Sequence, residues 1–176
     1  MMHTFDFAAF GSAATSLVGQ RQPALGPGSP DLAAKPALDA LTVKHLFGGK
    51  AVRDTDMARC CIAALWLHHD FLEESHKISQ EISTAEGIYW HAIMHRREPD
   101  PGNSKYWFRR VGAHPILDQL AKELRESQFY DYTSPFDFID FCERVRGTGS
   151  EEEFVARGVQ LLEWVLLFEH CGKQAI

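Results

Sequence analysis

No run of eighteen apolar residues occurs in this 176-residue chain, so no membrane-spanning helix can be drawn through it. The start, MMHTFDFAAF, has no basic stretch ahead of an apolar one, which argues against a secretory leader. The four cysteines, Cys60, Cys61, Cys142 and Cys171, form no C-x-x-C pair. They read as free thiols of a cytoplasmic protein rather than a disulfide framework. The glycine-rich phosphate loops G-x-G-x-x-G and G-x-x-x-x-G-K-[ST] are missing, as is the nucleophile elbow G-x-S-x-G. Positive charge is scarce too. The net charge of −6 excludes a surface given over to nucleic acid. Alternating apolar and polar stretches closed by hairpin dipeptides are also lacking, which leaves little room for a sheet.

What is present is helical. Apolar residues make up 45% of the chain and charged residues 24%, an ordinary globular balance for one domain. Residues 19–36 hold four prolines and three glycines, so residues 1–35 are expected to form a flexible segment or surface strap. Within it Phe5, Phe7 and Phe10 can pin the tail to the body. From 36 to 176 we expect an all-α domain of six or seven helices around one core. Pro36 opens the first helix, and Gly48-Gly49 closes it. Asp54 or Thr55 caps a long helix over 55–82. Ser83 with Glu86 opens the next, to about Glu98. After Pro99–Gly102, Ser104 caps a short helix ending at Gly112. Pro115, Ser134-Pro135 and Ser150 with Glu153 start the remaining three. The last helix is apolar over most of its surface, which suits a core element or a homodimer interface.

Two helices place polar groups on faces that look buried. On a continuous helix 55–82, His69, Glu73, His76 and Gln80 share one stripe, at spacings of four, three and four. On the following helix His91, His95 and Glu98 occupy the one arc not filled by large apolar side chains. The short break between these helices favours an antiparallel hairpin. His69, Glu73 or His76 is therefore expected within about 4 Å, one side-chain contact, of His91 or His95. Imidazoles can move protons near neutral pH, so His69, Glu73, His76, His91 and His95 are candidate catalytic groups. The same groups with Glu98 can hold zinc, iron or manganese, although the H-E-x-x-H signature is missing. Hydrogen-bonded structural histidines, or a solvated Glu–His face, are the plainer alternatives.

The segment 89–115 reverses the local charge to +3, leaving −9 for the rest of the chain. Arg96, Arg97, Asn103, Lys105, Trp107, Arg109 and Arg110 are the candidate ligand-binding residues. Arginine forks suit phosphate or carboxylate, and the aromatics can wall a site. Three functions follow as expectations. The first is a helical domain that binds a small anionic or polar metabolite, and could act on it, in a pocket roofed by loop 99–112. The second is a metal-dependent hydrolase or oxygenase built on the same histidines. The third is a non-enzymatic protein docking an acidic partner through loop 99–112, with Trp107 and Phe108 beside Arg109 and Arg110. No cofactor follows from the pattern, and neither nucleic acid nor membrane is an expected partner.

The stretch Val52–Pro115 resembles a family of uncharacterised bacterial proteins. The resemblance rests on Trp66-Leu67-His68-His69-Asp70-Phe71-Leu72, on Tyr89-Trp90-His91 and on Met94-His95-Arg96-Arg97-Glu98-Pro99-Asp100. It continues through Asn103-Ser104-Lys105-Tyr106-Trp107-Phe108-Arg109-Arg110-Val111-Gly112. It implies a shared domain over that stretch and no activity.

Overall fold

The computed structural model describes residues 6–19 and 21–176. It is all-α, with no strand among the described residues. Ten α-helices are described: α1 Ser12–Val18, α2 Lys35–Asp39, α3 Val43–Leu46, α4 Thr55–His68, α5 Leu72–Ser79, α6 Ala85–Arg97, α7 Pro101–Val111, α8 Pro115–Glu126, α9 Pro135–Val145 and α10 Glu151–Ala175. Eight of them have seven residues or more, against the six or seven expected.

Caps explain most boundaries. Asp54 accepts from the Met57 N–H at 3.0 Å, and Ser134 and Ser150 accept from Asp137 and Glu153. Two caps differ from expectation. Thr84, not Ser83, takes the Gly87 N–H, and Asp100, not Ser104, takes the Asn103 N–H. The segment 99–112 is therefore mostly helix rather than a loop, with Pro101 at its first position. Ser104 instead lies within α7, where its hydroxyl donates to the Ala92 carbonyl at 2.8 Å and ties α7 to α6.

The expected helix 55–82 is two helices. Asp70 takes φ of 63°, and the Phe71 N–H returns to the Trp66 carbonyl at 3.0 Å. This is a Schellman closure with aspartate where glycine is usual. An aspartate tolerates the left-handed region at a cost, which its partners offset. Its carboxylate is buried between Arg97 and Arg21, and Arg97 also donates to the Leu67 carbonyl at the end of α4.

The core runs along α4, α6 and α10. Ala64, Leu65, Trp90 and Leu167 are buried there, and the Trp164 indole N–H donates to the Ala64 carbonyl at 3.0 Å. One charged group is enclosed with them. Arg96 donates to Glu163 at 2.6 Å, Tyr89 donates to the same carboxylate at 2.9 Å, and both side chains of the ion pair are 0% exposed. All four cysteines are free and buried. No helix among the described residues is long and apolar enough to cross a membrane.

The segment 1–35 needs correction in part. Phe5 lies outside the described residues. Phe10, Leu17 and Leu25 are buried in the core, and Phe7 and Phe10 set their rings against Phe168. Proline and glycine exclude long helices from 19–36 without excluding burial. The strap is held through its carbonyls: Arg157 donates to Gln22 and Pro23, and Gln160 to Ala24 at 3.1 Å. At its other end the Asp31 N–H bonds the His69 carbonyl at 3.0 Å.

Candidate functional site

The α4–α5 break decides which expected residues meet. With the helix interrupted at Asp70, His69 and His76 no longer share a face. His69 turns to the strap, where Nε2 lies 2.6 Å from the Leu17 carbonyl and Nδ1 lies 3.1 Å from Asp31. Its neighbour His68 is fully buried on the Val18 carbonyl, and burial pushes its pKa down to about 4. Glu73 is exposed and pairs with Lys77. Neither His69 nor Glu73 belongs to a cluster with His91 and His95.

His76 does. Its ring centroid lies 4.8 Å from His91 and 5.3 Å from His95, so of the expected stripe His76 is the residue that reaches the α6 histidines. His91 and His95, one turn apart on α6, stack at 4.8 Å with their Nε2 atoms 3.0 Å apart. One imidazole nitrogen from each of the three lies within 4.8 Å of the others. His95 Nδ1 donates to Glu98 Oε2 at 2.9 Å, which fixes the tautomer and leaves Nε2 as an acceptor facing His91. Nε2 of His91 then carries the proton between them. Burial, and after it the neighbouring imidazoles, lowers the pKa of His91 to about 4; His95 is lowered as well, again chiefly by burial. His91 and His95 are thereby held toward their neutral forms.

The helix α7 forms the wall. Trp107 lies half-buried and stacks on His91, with centroids 4.3 Å apart and planes 26° from parallel. The Arg110 guanidinium covers the Trp107 ring at 4.8 Å. Arg109 lies near Phe136. Among the described residues, neither arginine pairs with a carboxylate.

The other expected anion ligands do not converge here. Arg96 and Arg97 are buried ion-pair members that brace α6 against α10 and the α4–α5 break. Burial pushes the Arg97 pKa below its usual value, with Asp70 opposing that shift. Asn103 bonds the Asp100 carboxylate at 2.7 Å, and Lys105 pairs with Asp140 at 2.5 Å on α9. Phe108 is a core residue. A cleft of about 640 Å³ between α8 and the first half of α10 is lined by none of the expected site residues.

A second histidine cluster escapes the sequence, because its members come from distant elements. Glu86 on α6 meets His170 Nε2 of α10 at 3.0 Å and His114 Nε2, at the start of α8, at 3.6 Å. His114 Nδ1 accepts the Ile116 N–H at 3.2 Å and caps α8. Its Nε2 must therefore carry the proton and point it at Glu86. Gln174 Nε2 also reaches His170 Nε2, at 2.8 Å, and His114 and His170 together hold Glu86 well below the usual carboxylate range. No family model, curated protein or solved structure matches the chain.

Proposed function

We propose that the chain binds a small anionic or polar molecule at the junction of α5, α6 and α7 and handles a proton there. The observation that carries this reading is the His76–His91–His95 cluster itself. Three imidazoles from two helices share one space, and burial holds two of them, His91 and His95, toward their neutral forms. A plain structural role would satisfy each ring separately, as the backbone carbonyls at Val18 and Leu17 do for His68 and His69. Arg110, layered on the Trp107 wall without a carboxylate partner, supplies positive potential next to the cluster in an otherwise acidic chain. The ligand-binding role thus narrows to His76, His91, His95, Trp107 and Arg110, with Arg109 contributing charge.

Docking of an acidic partner through α7 has less support. That reading needs Trp107 and Phe108 to protrude, whereas one stacks on His91 and the other is 2% exposed. Thermal-shift and calorimetric screens of phosphorylated and carboxylated metabolites test the preferred reading. A ligand should stabilise the wild type and lose most of that effect in both His91→Ala and Arg110→Ala. A panel in which no anion distinguishes wild type from either variant overturns it.

A further inference from the structure

We infer that His76, His91 and His95 together bind one divalent transition-metal ion, with an open coordination position where the anionic molecule attaches. The inference rests on the reading of this junction as the functional centre, and it names the group that would hold the ligand there.

The argument begins with donor chemistry. Three imidazoles offer nitrogen donors and no hard oxygen cage, which suits zinc and its neighbours in the first transition row rather than calcium or magnesium. Spacing comes next. In a tetrahedral site with nitrogens about 2.05 Å from the ion, adjacent nitrogens lie about 3.3 Å apart. The Nε2 atoms of His91 and His95 stand 3.0 Å apart, and all three rings offer a nitrogen within 4.8 Å of the others. Small rotations of side chains close the remaining gap. On binding, His91 would take its other tautomer, the proton leaving Nε2 for solvent as Nδ1 gains one, so that Nε2 offers its lone pair to the ion.

The third element lies behind the ligands. A metal-bound histidine commonly donates its other N–H to a carboxylate, which orients the ring and raises its basicity. His95 Nδ1 makes this bond to Glu98 at 2.9 Å. Glu98 is 52% exposed along its side chain, so it has no need of this partner for burial's sake. On the opposite flank Trp107 fixes the plane of His91. Three protein ligands leave a fourth position, and His76, only half-buried, marks the side open to solvent. The ion with three neutral ligands keeps its full double charge, which attracts an anion in concert with Arg110.

The Glu86–His114–His170 cluster serves as an internal control. It has the composition of a metal site, but His114 cannot move its proton from Nε2 to Nδ1 without giving up the Ile116 N–H that caps α8. Metal binding should therefore be confined to the first cluster.

The test uses the full chain, stripped with chelator, dialysed and titrated with Co²⁺ and with Zn²⁺. One equivalent of Co²⁺ should bind, giving visible absorption bands of low-coordinate cobalt and quenching tryptophan emission through Trp107. Glu98→Gln, which leaves the ligands in place, should weaken binding about tenfold or more. His91→Ala and His95→Ala should abolish the cobalt bands, whereas His45→Gln, at an exposed position on α3, should leave them unchanged. No stoichiometric uptake by wild type overturns the inference. So does equal uptake by His91→Ala and His95→Ala. If inorganic phosphate binds the stripped wild type but not His91→Ala, while no metal is taken up, the proposed function stands and the metal falls. If metal binds and no anion follows it, the metal stands and the anion reading falls.

Discussion

The two ends of α6 carry two histidine clusters with different logic. At the N-terminal end, the Glu86 carboxylate sits between His114 and His170, and the other nitrogen of His114 is taken by the Ile116 N–H. At the C-terminal end, His76, His91 and His95 face one another, and the carboxylate stands behind His95 instead of among the rings. The first arrangement closes on itself and fastens α6, α8 and α10. The second gathers three rings from two helices into one shared space. Histidine content is thus a poor guide to function; the direction of the protons separates a fastening from a site.

The severest way to break this comparison is to remove the strut common to both ends. Glu163→Ala leaves Arg96 buried without its counter-ion and Tyr89 without its acceptor, and should cost about 3–5 kcal/mol in denaturant unfolding. Both clusters should fail together in that variant. Glu86→Ala should cost about 1–3 kcal/mol, because it removes the carboxylate that His170 bonds and that buried His114 faces. Its effect on cobalt uptake should be small as long as the protein stays folded.

Acid should separate the clusters by window. Burial depresses the pKa of His91 to about 4, so the unfolded chain takes up a proton before the native one does. Stability from this site is therefore full above the unfolded histidine value and is lost as pH falls from about 6.5 to about 4. His68 contributes in the same window. Glu86 is depressed from the ordinary carboxylate value. Its contribution is full above about pH 4.5 and is lost only as pH falls further, through its native value. In chelator-treated protein, His91→Gln should flatten the upper part of the stability–pH curve, and Glu86→Gln the lower part. Curves that keep the wild-type shape in both variants would contradict the assignment. The smallest effect expected is on the stability of Glu98→Gln, about 1 kcal/mol or less, since Glu98 is half exposed.

How much of this was legible depends on the range of the forces involved. Caps at Asp54, Ser134 and Ser150 act over three residues and could be read directly, as could the i,i+4 pair His91 and His95. The break at Asp70 could not, because it uses neither glycine nor proline and is held by Arg21 and Arg97, 49 and 27 residues away. That single turn moved His69 and Glu73 out of the expected stripe. Arg96 and Arg97 misled for a related reason. Charge counts place arginines near a site without showing that Glu163 and Asp70 have already claimed them. Glu86, His114 and His170 share no spacing that a sequence pattern could report.

The way the strap is held has a consequence for synthesis on the ribosome. The carbonyls of Gln22, Pro23 and Ala24 await donors on Arg157 and Gln160, which are made up to 136 residues later. At bacterial to eukaryotic elongation speeds that separation corresponds to a delay of roughly 7–27 s. During it Leu17 can already lean on α4 through His69, whereas residues 22–24 have no donors to hold them. The middle of the strap is thus seated late, and nascent protein should expose residues 22–24 to chaperones and proteases until α10 has left the exit tunnel.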